Sequence, residues 1–226
     1  MESTEQHIKS PNVWFTADLH FRHKNILRHQ SNRMLAMGLA DENDIEKHDQ
    51  YLFDMWCSMV KRGDHVYVLG DFILSNKQDA LTLLHRLKQK TGCKIHLIVG
   101  NHDKATKGFA NMFQSIDLIK VVDFKKSAFP FLDEDFTCVL CHYPLKSWPR
   151  KCFGAVNLFG HIHNNAPWVD TETDDLCLNV GVDTPFANYK LVSLEQVYEW
   201  YKKKLNGLSP KEYIEKISES NPYLIR

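Results

Sequence analysis

Five short polar stretches carry the residues of this chain that could do chemistry. They are Asp18-Leu19-His20, Gly70-Asp71, Gly100-Asn101-His102-Asp103, His142 within Cys141-His142-Tyr143-Pro144, and Gly160-His161-Ile162-His163. The donors on offer are imidazoles, carboxylates and one carboxamide, and no thiolate is needed. That set suits manganese, iron or zinc in a reactive site better than a structural zinc site, and it disfavours copper(I). The seven candidate ligands Asp18, His20, Asp71, Asn101, His142, His161 and His163 are too many for one tetrahedral ion. They suit two divalent transition-metal ions sharing a carboxylate. Such a pair clamps a phosphoryl oxygen and lowers the pKa of a bound water to near neutral.

The elements that must position these residues are apolar runs of strand length and β-branched or aromatic character. Residues 13–17, 65–69, 94–99, 136–140 and 156–159 each run into one of the five stretches. In open α/β sheets, sites form outside the carboxyl ends of the strands, so the five ends can converge on one crevice. In an extended segment, residues i and i+2 share a side. Asp18 would then be presented with His20, and His161 with His163. Gly70, Gly100 and Gly160 would let the backbone turn sharply and approach the site closely.

Between the first strands lie helical patterns. Ile45, Leu52, Met55, Trp56 and Met59 recur at helical spacing over 44–60, with His48 on the same face. This Met and Trp stripe reads as core. A second helix, capped by Ser75 or Asn76, carries Ala80, Leu83, Leu84 and Leu87 and stops at Gly92. Strand and helix alternate, which implies parallel strands covered by helices. Residues 21–27 read as the start of a helix, and they bring Arg22, His23 and Lys24 near a strand end. Alone these are a solvated basic helix start; beside a metal crevice they could hold a phosphate.

The second half reads as strands 118–125, 136–140, 156–159, 176–182 and 189–193, expected as a second, more antiparallel sheet. The loop over 144–153 carries Trp148 and Arg150, which join Arg22, His23 and Lys24 as candidate substrate contacts. Residues 1–11 read as a loose lead-in and 171–175 as an acidic turn. Ser193 and Gln196 fit a capping box before one closing helix, and Ser209, Pro210 and Glu212 mark the start of another.

Composition narrows the partners. Lys plus Arg and Asp plus Glu number 28 each, so the formal net charge is zero, and nothing calls for nucleic acid or an anionic membrane. No apolar run approaches the roughly 20 residues needed to span a bilayer. The six cysteines are scattered, and no signal peptide precedes the first strand. The expectation is one cytoplasmic domain over 1–226 with reduced thiols. Oligomeric state is not legible.

Taken singly, each motif has a bland reading. An Asp-x-His pair arises by chance, a Gly-Asp is a turn, and Cys141-His142 is a buried pair in a core strand. His65 reads as a strand-end histidine. Cys138-Val139-Leu140-Cys141-His142 matches the haem-attachment spacing, but its setting in a buried strand is wrong for haem. A zinc ribbon would need a second C-x-x-C, and His48-Asp49 mimics an HD-type pair without its other parts. The ordered set, with every member at a strand end, is another matter.

That set resembles the calcineurin-like metallophosphoesterase superfamily, whose signature is D-x-H, G-D, G-N-H-[DE], a lone H, then G-H-x-H. Phe15-Thr16-Ala17-Asp18, His142-Tyr143-Pro144-Leu145 with Trp148, and Asn179-Val180-Gly181-Val182-Asp183 are similar to small, single-domain bacterial and phage members. The resemblance covers about residues 13–195. It implies a four-layer α/β/β/α sandwich with two mixed β-sheets flanked by helices. It implies that Asp18, His20 and His163 hold one metal, that Asn101, His142 and His161 hold a second, and that Asp71 bridges them. His102 would not ligate but would face the leaving group as general acid or electrostatic stabiliser, with Asp103 orienting it. Arg22 departs from the small residue common there. The activity implied is hydrolysis of a phosphate mono- or diester by a metal-bridging hydroxide, on a small nucleotide-like or organic phosphate. The rivals are a nuclease on single-stranded or structured nucleic acid, and a non-catalytic interaction module on the same fold.

Overall fold

The computed structural model describes residues 10–103, 108–164 and 176–220, so most of the lead-in and the turn at 171–175 lie outside the described residues. Two mixed sheets form the centre. The first runs β4-β3-β2-β1-β9, from Ser115–Asp117, Lys94–Ile98, His65–Leu69, Val13–Thr16 and Val192–Ser193. Its pairings are parallel except β1 with β9. The second runs β5-β6-β7-β8, from Ile119–Phe124, Phe136–Cys141, Val156–Phe159 and Cys177–Asn179.

Alternation along the strands assigns the faces. Val13, Phe15, Tyr67 and Leu69 join the core shared with the second sheet, whereas Val66, Val68, Ile95 and Leu97 face the other way. There they meet α3 (Ile45–Met59) and α4 (Lys77–Thr91). His48, Leu52 and Trp56 form the buried stripe of α3, and Ala80, Leu84, Leu87 and Thr91 that of α4. Asn76 caps α4 by accepting from Asp79 N, and Gly92 closes it in the left-handed conformation. The C-terminal helices α5 (Leu194–Leu205) and α6 (Pro210–Ser220) send Val197, Tyr198, Tyr201, Tyr213 and Ile217 into the core of the second sheet. The Ser193–Gln196 capping box forms in both directions, at 2.8 and 3.1 Å. The result is the expected α/β/β/α class.

Three expectations about the elements need correction, and one strand is unforeseen. The strand expected over 118–125 forms as β5, and the short strand β4 stands just before it, because the chain changes sheets at Leu118. Asp117 O still accepts Val99 N at 2.9 Å in the first sheet, and Ile119 already pairs with Cys141 in the second. The second sheet has one antiparallel pairing and two parallel ones, since both β6–β7 and β7–β8 are crossovers. The strand expected over 189–193 is only Val192–Ser193, since Asn188 and Tyr189 are left-handed at φ 46° and 60°. No helix starts at Phe21. Left-handed His20 and Arg22 delay it to α1 (Ile26–His29), and α2 (Asn32–Met37) follows unforeseen.

Candidate metal centre

The five loops do meet, outside the carboxyl ends of β1, β2, β3, β6 and β7. Backbone bonds knit them: Asp18 N donates to Gly70 O at 3.0 Å, His20 N to Asp71 O at 2.9 Å and Gly160 N to His142 O at 3.0 Å. The loops are not extended, as i, i+2 presentation would require. Asp18, His20, Asp71, His161 and His163 are all left-handed, with φ between 52° and 72°. Each costs about 1–2 kcal/mol in a residue with a Cβ. The alternation of hand, rather than a pleat, turns residues i and i+2 into the crevice together. Gly70 is left-handed at φ 90°, and a Cβ there would run into the His142 ring. Gly100 has ordinary φ, but a Cβ on it would strike the Asp71 carboxylate.

Asp18, His20 and His163 form one group of converging ligand atoms, and Asp71, His142 and His161 a second. Asp71 stands between them: its Oδ2 lies 3.7 Å from His20 Nε2 and 3.6 Å from His142 Nε2. Asn101 Oδ1 completes the second group, 3.0 Å from His142 Nε2 and 3.1 Å from His161 Nδ1.

The hydrogen bonds behind these rings fit a cation in each group. His142 Nδ1 donates to Leu69 O at 2.8 Å, and in that Nδ1–H tautomer the Nε2 lone pair faces the Asn101 oxygen. Two acceptors at that distance repel unless a cation draws both. His163 Nδ1 donates to Asp183 Oδ2 at 2.8 Å, which turns its Nε2 to His20 Nε2 at 3.3 Å. Two nitrogens bound about 2.0–2.1 Å from one tetrahedral ion would stand about that far apart. Burial pushes the Asp18 carboxyl up to about 7 and drives His20 strongly toward the neutral form. His161 is lowered by burial and by the neighbouring His142. His163 is raised instead: burial opposes its charge, but the bond to Asp183 and the nearby Asp18 carboxylate outweigh it. Buried carboxylates that draw a proton onto an imidazole are placed to draw a cation in its stead.

His102 keeps 38% of its side chain exposed, with Nε2 4.0 Å from Asp71 Oδ2. Asp103 does not orient it. The Asp103 carboxylate is buried and accepts the backbone N–H groups of Asp71, Phe72 and Gly100 at 2.8, 3.0 and 2.8 Å. It ties the loops after β2 and β3 together, and the carboxylate nearest His102 is Asp71. His23 is brought to the site, its ring 5.1 Å from that of His20 and 5.8 Å from that of His102, while Lys24 is exposed.

The remaining candidates lie elsewhere. Arg22 turns its Nε to Asp49, 3.5 Å away, in a groove of about 300 Å³ between α3 and α4. Trp148 is buried, donates to Ala155 O at 2.8 Å and carries Lys151 over its ring, so it holds its own loop closed. Arg150 pairs with Asp123 at 2.6 Å, and Asp123 with Thr137 at 2.7 Å. Thr137 lies near the start of β6 and His142 follows its end, so about 17 Å of strand, at 3.3–3.4 Å per residue, lies between Arg150's partners and His142. His65 is half-buried and joins His96 at 2.9 Å, away from the centre.

Sequence reasoning missed what stands behind the first group. Asp183 lay within a stretch already noted, without a role. Arg33 sits on α2, where no helix was expected, and nothing in the local sequence marks it.

The chain belongs to the calcineurin-like phosphoesterases, whose family model matches residues 11–215. It is 28% identical over 211 residues to the gene 66 protein of Mycobacterium phage L5, covering 83% of this chain and 93% of the relative. It is also 28% identical over 195 residues to an uncharacterized protein of Methanocaldococcus jannaschii, covering 84% and 92%. The crystal structure of a protein of unknown function from Aquifex aeolicus matches with a TM-score of 0.60 at 20% identity, over 84% of this chain and 99% of that one. This last likeness is one of fold.

Proposed function

We propose that this protein hydrolyses a small phosphate ester, nucleotide-like or otherwise organic, with two divalent transition-metal ions drawn from manganese, iron and zinc. The observation that carries the reading is the pair of ligand groups flanking one carboxylate oxygen of Asp71. Asp18, His20 and His163 would hold one ion, Asn101, His142 and His161 the other, and Asp71 both. Two such ions act as Lewis acids on a phosphoryl oxygen and make water nucleophilic near neutral pH.

The chain's own residues supply the rest. Asp71 and the left-handed loops hold the donors at fixed separations before any substrate arrives, so no reorganisation accompanies the reaction. His102, half-exposed with Nε2 4.0 Å from Asp71 Oδ2, would be the donor to the leaving oxygen. Tyr143 is exposed, with its ring 4.6 Å from that of His161, and offers a flat wall to the organic part of the ester. Zero net charge favours a small ester over a long nucleic acid.

The test is turnover of a panel of mono-, di- and cyclic nucleotide phosphates by protein loaded with Mn, Fe or Zn. Hydrolysis of a member of the panel that vanishes in Asp71→Asn supports the reading. No turnover with any of the three metals contradicts it.

A further inference from the structure

Beyond the ligands themselves, the most heavily bonded side chain near the site is a wholly buried arginine. Arg33 donates from Nε and Nη2 to Asp183 Oδ2 at 3.1 and 2.7 Å. Nη2 also reaches Asp18 O at 2.6 Å, and Nη1 reaches Leu19 O at 3.2 Å. Nη1 lies 3.1 Å from His48 Nε2, and His48 Nδ1 lies 3.0 Å from Asp49 Oδ1. A guanidinium only donates, so His48 accepts at Nε2 and donates from Nδ1 to Asp49. Asp49 in turn accepts the backbone N–H of Arg22 at 3.1 and 3.2 Å.

These contacts converge on the loop that carries Asp18 and His20, and on Asp183, which bonds His163. The backbone of Asp18 and Leu19 is fixed from one side, and Asp49 pins the far end of the same loop at Arg22 N. The Asp183 oxygen that accepts from Arg33 is the one that accepts from His163 Nδ1. One planar fork therefore sets the distance between a ligand-bearing strand end and the carboxylate that aims His163. The second group has a different support, the carbonyl of Leu69 behind His142.

We propose that Arg33 is the positioning residue of the first metal group. It holds Asp18, His20 and His163 in register as a unit, and so sets the affinity for one of the two ions and not the other. This rests on the two-ion reading above. The physical reason is the shape of the guanidinium. Its donors lie in one rigid plane, whereas a lysine ammonium is a point charge on a flexible stem and cannot span Asp183 and two carbonyls at once. Partners that orient a ligating histidine set metal affinity by about 10- to 100-fold.

The experiment is Mn²⁺ titration by calorimetry of metal-stripped full-length protein, with thermal melting of each metal-free variant beside it. His163→Ala and His161→Ala identify which binding event belongs to which group. Wild type should show two events. Arg33→Lys should weaken the event that His163→Ala removes by about 10- to 100-fold, and leave the event that His161→Ala removes unchanged. Asp183→Asn, which keeps the volume and removes the shared carboxylate, should do the same, and it decides the matter if Arg33→Lys does not fold. Adding Arg33→Lys to His163→Ala should cost no further affinity. Unchanged affinities, or an equal weakening of both events with a lowered melting temperature, overturn the inference and leave the two-ion reading standing. A wild type that binds no Mn²⁺ overturns both.

Discussion

Asp18, His20 and His163 stand in front of a buried layer of polar groups, Arg33, Asp183 and His48, that fixes them from behind. Asp71 and His142 of the second group are buried as well, but His161 is exposed, with the exposed Tyr143 ring beside it. The two groups use the same kinds of donor and share Asp71, but they solve different problems. The first desolvates its donors, and burial raises Asp18 as a consequence. The second leaves room for a ligand. A centre that must keep its ions and still admit a substrate needs both arrangements side by side.

The largest effect should come where the groups touch. Asp71→Asn removes the carboxylate between them, so metal content should fall at both and activity should be lost; retention of both ions would break the comparison at its root. His102→Asn removes no candidate ligand of either group. Both ions should remain, and the rate on a poor leaving group should fall by about 10²- to 10⁴-fold, the range for general acid catalysis. The loss should shrink on p-nitrophenyl phosphate, whose leaving group needs little protonation. An equal loss on both esters would assign His102 to positioning instead.

Gly70→Ala sharpens the comparison through the backbone. The left-handed φ costs about 1–2 kcal/mol once a Cβ is present, and that Cβ would press on the His142 ring. Melting temperature should fall, and the ion of the second group should be weakened first. Weakening confined to the first group would contradict the contact. The smallest effect belongs to Arg150, on the far end of β6. Arg150→Ala should change stability by no more than about 0.5 kcal/mol and leave KM unchanged; a raised KM would return Arg150 to the substrate.

The seven candidate ligands could be picked out because short polar motifs at strand ends are a local signal, and each of the five loops shows up in its own few residues. Helices α3 and α4 were legible from periodicity, and the caps at Asn76 and Ser193 from single side chains. What was not legible depended on contacts between distant parts of the chain. Arg33 meets Asp183 across 150 residues, and no spacing announces it. Asp103 sits beside His102 in sequence, which suggested a local pair, but its lone pairs are taken by backbone N–H groups of two loops. Trp148 and Arg150 follow His142 closely along the chain, yet the loop carries them back along β6. The left-handed turns at Asp18, His20, His161 and His163 were hidden because none of these is glycine.

The central claim is that two ions share Asp71. Anomalous X-ray diffraction from crystals of the Mn-loaded protein tests it most directly. The account predicts two peaks, one contacted by Asp18, His20 and His163, the other by Asn101, His142 and His161, with Asp71 touching both. A single peak in a fully active crystal preparation, or peaks contacted by other residues, would contradict it.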